Sequence, residues 1–213
     1  MIIEVCANSY EYAIKAEKAG TDRIELCKDL HLDGLTPTYE TAKKTIDELN
    51  IPVFILIRPR EGDFNYSNEE YELMKADIVK FKEMGCKGIV SGVLNKGKTI
   101  DIERTKELVE LSRPLEFTFH RAFDIVNKPI NEIKNLIELG IERVLTSGQK
   151  DKAIEGLELL EKLKNISNNR IIIMPGSGIT KTNFKKFNLF NEIHGSFKNE
   201  INSNAFKFFE IEY

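Results

Sequence analysis

No apolar run in this 213-residue chain approaches the roughly 18 residues that a membrane-spanning helix needs. The opening Met1-Ile2-Ile3-Glu4-Val5 also lacks the charged start and apolar stretch of a secretory signal. Both absences make a cytoplasmic protein with no membrane partner the expectation. Cysteine is scarce: Cys6, Cys27 and Cys86 are too few for a disulfide framework, and in the cytosol they should stay free thiols. Neither sign of charge is in excess, with 31 Lys and Arg against 34 Asp and Glu and a formal net charge of −3. Without a basic run there is no electrostatic footprint for nucleic acid, and none is expected as a partner. A Gly-x-Gly-x-x-Gly fingerprint is missing too, since Gly176-Ser177-Gly178 has no third glycine, so no nucleotide or organic cofactor is expected. No serine sits on a Gly-x-Ser-x-Gly elbow, which disfavours triad hydrolysis.

What is present is alternation. Apolar, β-branched runs at 2–7, 22–27, 52–57, 87–93, 115–120, 143–146, 170–174 and 192–194 read as strands, the last being the weakest. Between them, stretches such as 68–84, 101–111, 130–139 and 152–164 space their apolar residues by three and four, as helices packed on a sheet do. A degenerate repeat marks the junctions: Ala19-Gly20-Thr21-Asp22-Arg23-Ile24, Met84-Gly85-Cys86-Lys87-Gly88-Ile89 and Leu139-Gly140-Ile141-Glu142-Arg143-Val144 each read as a helix closed by glycine and fed into the next strand. The expected fold is an α/β, (β/α)8 TIM barrel forming a single domain over 1–213, though the chain is shorter than the roughly 250 residues typical of that fold.

Polar residues of unusual type gather at the C-terminal ends of these runs, where barrels build their sites. Alternation along the strands places Glu4, Cys6 and Asn8 on one face of the first run and Arg23, Glu25 and Cys27 on one face of the second. The same parity brings in Arg58, Ser91, His120, Thr146 and His194. Burying so many ionisable groups is expensive unless they pair with one another or face a wet pocket, and both readings stay open. Glycine-rich turns follow the seventh and eighth strands: Gly176, Ser177 and Gly178, leading into a helix near Thr180, and His194, Gly195 and Ser196. Such turns often offer backbone N–H groups to an anion, although they also serve simply as tight turns.

The blocks Glu4-Val5-Cys6-Ala7, Arg23-Ile24-Glu25-Leu26-Cys27, Gly34-Leu35-Thr36-Pro37, Ile57-Arg58-Pro59-Arg60 with Gly62-Asp63-Phe64, Thr118-Phe119-His120-Arg121-Ala122-Phe123-Asp124, Leu145-Thr146-Ser147-Gly148, Met174-Pro175-Gly176-Ser177-Gly178 and His194-Gly195-Ser196 together resemble the CutC family of copper homeostasis proteins. The resemblance runs from the first strand to the eighth. It implies a (β/α)8 barrel, a cytoplasmic location and a role in copper handling through Cys6 and Cys27. Soft thiolates suit Cu(I), and thiols on neighbouring strands about 4.8 Å apart can approach each other. Against this stand the lack of a Cys-x-x-Cys or Met-rich tract and a total of three histidines, His31, His120 and His194.

The competing reading is an enzyme acting on a small anionic or phosphorylated ligand. In it Glu4 or Glu25 is the general base, its pKa raised by burial and by the other carboxylate, and His120 moves a proton. Arg58 and the loop from Gly176 to Gly178 hold the anion, with Arg60 and Arg121 assisting unless they pair with Asp63 and Asp124 at the rim. Cys86, at a helix-to-strand turn, is expected to be structural. After Ser196 too little chain remains for a regular eighth helix, so an abbreviated or irregular one is expected. Its apolar segment Ala205 to Phe209 is a candidate homo-oligomer contact.

Overall fold

The structure, a computed structural model, describes residues 1–202. The segment Ala205 to Phe209 therefore lies outside the described residues. Eight parallel strands form one sheet: β1 (Ile2–Ala7), β2 (Arg23–Leu26), β3 (Val53–Leu56), β4 (Gly88–Ser91), β5 (Glu116–Phe119), β6 (Arg143–Thr146), β7 (Ile172–Pro175) and β8 (Glu192–Gly195). Neighbours follow chain order, β8 pairs with β1, and a parallel bridge between Gly176 and His194 brings β7 to β8 and closes the cylinder. Outside it lie α1 (Tyr10–Lys18), α2 (Tyr39–Glu48), α3 (Asn68–Glu83), α4 (Ile102–Ser112), α5 (Pro129–Glu138), α6 (Leu157–Ser167) and the short α7 (Lys198–Asn202). None of these helices is long and apolar enough to cross a membrane.

Local chemistry explains the punctuation. Ser67 and Glu70 form a reciprocal capping box that starts α3, and Ser9, Thr38 and Asp101 cap α1, α2 and α4. Gly20, Gly85 and Gly140 have φ of 88°, 93° and 69°, the left-handed turn anticipated from the repeat. The helix expected near Thr180 does not form. Asn183 accepts from the Thr180 N–H and donates to the Gly178 carbonyl, and the polar run Thr180 to Asn183 has no apolar stripe to bury, so this side of the barrel carries only a 3₁₀ turn at Phe184–Phe187.

Aliphatic and aromatic residues between sheet and helices form the main core, among them Ile3, Val5, Ile24, Ile55, Phe81, Phe117, Phe119 and Leu163. The barrel interior is different. Its lower half is an ionic plug in which Arg23 binds Glu4 and Glu192, while Arg143 meets Glu192 at 3.0 Å and Glu116 at 2.7 Å. Both guanidinium groups lie over the Phe54 ring, at 4.7 and 5.2 Å. For these residues the internal-pairing reading is the one realised. Above them Cys6, Cys27, Phe54, Leu56 and Val90 make a second apolar cluster.

Two parity assignments are corrected. A side chain at Gly88 would strike the Phe54 ring, so Gly88 and Val90 face inward on β4 and Ser91 faces out, donating to the Ile57 carbonyl at 3.0 Å. On β6 the ionic plug takes Arg143 and the cavity takes Leu145, which turns Thr146 outward to donate to Asp124. Short strands entered from different loops do not share a parity origin, and the buried charge of Arg143 fixes the register of β6.

Candidate functional site

A cavity of about 490 Å³ opens at the C-terminal mouth of the barrel. Its floor carries Cys6 from β1, Glu25 from β2 and His194 from β8, three adjacent strands brought together only by closure of the sheet. One ligand atom from each lies within 4.8 Å of the others. Cys6 Sγ is 3.5 Å from Glu25 Oε1 and 3.6 Å from the sulfur of Cys27, which is fully buried behind it against Gly34. His194 engages Glu4 through Nδ1 at 2.8 Å, leaving Nε2 as its second donor atom. An imidazole held by a carboxylate in this way is the arrangement that orients metal-binding histidines. The pairing of Cys6 with Glu25 and His194 was not legible as a ligand set, because strands one, two and eight become neighbours only in the closed barrel.

Charge on the floor follows from burial and partners. Burial pushes the Glu4 carboxyl up, but Arg23 and the bond to His194 outweigh it and hold the group down at about 2. Glu4 is also shielded from the cavity by His194, so the expectation of a general base with a raised pKa is corrected for this residue: its negative charge belongs to the ionic plug. Glu25 differs. Burial dominates there, its carboxyl is raised above the ordinary value, and Oε2 has no hydrogen-bond partner among the described residues. The Cys6 thiol is pushed well up, first by its contact with Cys27 and then by burial. Burial opposes charging of His194, yet Glu25 and Glu4 raise it above its ordinary value.

The upper wall holds Arg58, Phe64 and His120. Arg58 is 4 % exposed and gives Nη1 hydrogen bonds to the carbonyls of Leu32 (2.7 Å) and Gly34 (3.0 Å) and an Nη2 bond to that of Gly62 (3.2 Å), tying together the loops after β2 and β3. His120 accepts from the Ala122 N–H at Nδ1 (3.3 Å), while burial and then Arg58 depress its pKa to about 3. It is a neutral ring at any ordinary pH.

The remaining expectations divide. Arg121 lines the cavity but pairs with Asp124 at 2.8 Å, and Asp124 is itself held by the Ser147 N–H at 2.9 Å. Arg60 is absent from the lining: it pairs with Asp63 and Glu70 at 2.9 and 2.6 Å, so the rim-pair alternative is the one realised. Ser177 and Gly178 line the cavity, as do His194, Gly195 and Ser196. Gly176 does not. Its N–H is committed to the Thr146 carbonyl, and Leu145 would meet any Cβ there. Without a helix at Thr180, no helix N-terminus stands behind the backbone N–H groups of this loop. Cys86 is buried at the turn before β4, away from the mouth.

Comparison with known proteins bears on this geometry. A model of the CutC family matches residues 1–199. A human protein named copper homeostasis protein cutC homolog is 46% identical over 185 residues, covering 87% of this chain and 68% of that one. A CutC family protein of Pasteurella multocida is 45% identical, covering 86% and 75%. The crystal structure of CutC from Streptococcus agalactiae superposes with a TM-score of 0.87 at 32% identity, covering 92% of this chain and 98% of that one. An aldolase, QR15, has a TM-score of 0.67 at 15% identity and shares the barrel fold.

Proposed function

We propose, from the premise that the chain belongs to the CutC family, that it binds Cu(I) as cargo on the floor of the barrel mouth. Cys6 and Cys27 supply sulfur and His194 supplies Nε2. The observation that carries this reading is that ligand atoms of Cys6, Glu25 and His194 lie within 4.8 Å of one another, with the Cys27 sulfur 3.6 Å from that of Cys6. A first-row ion keeps about 2.0–2.3 Å from nitrogen and sulfur donors, so one ion can touch several of them. Two thiols and an imidazole form a soft donor set that favours Cu(I) over Mg(II) or Ca(II). Glu25, which accepts from Cys6, is positioned to take the thiol proton that metal binding must displace. A reducing cytoplasm would keep both thiols available.

The test is anaerobic titration of the reduced protein with Cu(I) against a chromogenic Cu(I) chelator. Uptake of about one ion per chain is expected, with loss in the Cys6→Ser, Cys27→Ser double variant. Unchanged uptake in that variant would remove the thiols from the account.

A further inference from the structure

Arg23 and Arg143 each meet two carboxylates inside the barrel, and Arg121 at the mouth pairs with Asp124. Arg58 is buried as deeply, yet its partners among the described residues are all neutral: the carbonyls of Leu32, Gly34 and Gly62 and the Phe64 ring at 5.1 Å. A buried guanidinium without a counter-charge is unfavourable, and this one borders the cavity. Its Nε also lacks a partner, with the Tyr66 hydroxyl, likewise unsatisfied, close to the guanidinium, so the charge that borders the cavity is met by no carboxylate among the described residues.

Beside it stands His120. Its Nδ1 is fixed as an acceptor by the Ala122 N–H, its Nδ1–Cε1 edge abuts Gly92, and Phe64 covers a ring face with centroids 4.8 Å apart. In a neutral ring the proton must then sit on Nε2, a buried atom without a partner among the described residues, on a ring that lines the cavity. A donor and an uncompensated cation thus converge on the same empty space.

We propose that the cavity receives a small organic monocarboxylate, its oxygens held by Arg58 and by a hydrogen bond from His120 Nε2. One uncompensated positive charge matches one negative charge. A phosphate dianion would bring a second negative charge into a cavity that Glu25 borders. Phe64, Ile125, Leu145 and Ile179 give the wall an apolar lining for a short carbon skeleton, and the volume exceeds what such an acid needs. Arg58 and His120 are residues other than the copper donors, on the upper wall of the cavity whose floor carries Cys6, Glu25 and His194.

Metal-free protein with ¹⁵N-labelled histidine is titrated with acetate, pyruvate and lactate and, in parallel, with inorganic phosphate, following the His120 Nε2–H resonance and the heat of binding. Saturable binding of at least one carboxylate that moves this resonance is expected, and His120→Phe, which keeps a ring of similar size, should weaken it about tenfold. The resonance reads out on the unmutated protein, so the test survives a poorly folding variant. No saturable carboxylate binding, a His120 signal that does not respond, or phosphate binding as tight as any of the acids overturns the proposal. Because no metal is present, none of these outcomes depends on whether Cu(I) binds.

Discussion

Acidifying from pH 6.5 to 5 should cost the fold about 2 kcal/mol through His120 alone. The ring is 4 % exposed and its pKa falls from 6.5 in the unfolded chain to about 3 in the folded one. Between those values the unfolded chain binds a proton that the folded chain refuses, so stability present above 6.5 is lost as the pH falls, by about 1.4 kcal/mol per unit and about 5 kcal/mol over the whole window. His194 does not interfere: its pKa is raised, so its contribution is complete below 6.5 and fades only as the pH rises above that. Glu25 acts with the opposite sign, because its carboxyl is raised by burial and the folded protein keeps a proton that the unfolded chain gives up above its ordinary value. The assay is therefore a difference. Urea unfolding of wild type and His120→Phe is followed at pH 6.5 and pH 5, and wild type should lose about 1 M more in midpoint than the variant, taking a slope of about 2 kcal/mol/M. Identical pH dependence in the two proteins would refute the buried neutral imidazole.

Glu192→Gln removes the carboxylate shared by Arg23 and Arg143 and should destabilise by about 3–5 kcal/mol in chemical denaturation; a loss below about 1 kcal/mol would mean the plug is not what holds the barrel interior. Gly92→Ala places a Cβ 2.7 Å from His120 Nδ1, so it should cost about 1–3 kcal/mol and displace the imidazole resonance; additivity with His120→Ala in a double-mutant cycle would show that the clash is absent. Cys86→Ser should leave Cu(I) uptake in the chelator competition unchanged, and any fall would bring a thiol of the opposite barrel end into the site.

Most of the fold was readable because its signals are local. The helix-closing glycines at 20, 85 and 140 and the alternation of apolar runs need no knowledge of what lies across the barrel, and all eight strands fall where those signals put them. The errors begin where the deciding contact is distant. Ser91 and Thr146 were assigned inward by parity, but the ring of Phe54 and the carboxylate of Glu192 set the register of their strands. Glu4 and Glu25 look equivalent in sequence, two residues each from a cysteine, and Arg23 and His194 make them electrostatic opposites. Arg60 and Arg58 also look alike. One finds Asp63 and Glu70 within reach, and the other, a turn of strand deeper, finds carbonyls only. The cysteines of the first two strands are conspicuous in the sequence, whereas the approach of His194 to Cys6 depends on β8 pairing with β1.

The packed charges around Phe54 also decide the traffic. Arg23, Glu192, Arg143 and Phe54 are each no more than 5 % exposed, so among the described residues they plug the lower end of the cylinder beneath the cavity at its mouth. A solute that enters by this mouth to reach Cys6 passes His120 and Arg58. A recipient collecting an ion by this route would dock at the same threshold, and arrival and departure would take turns.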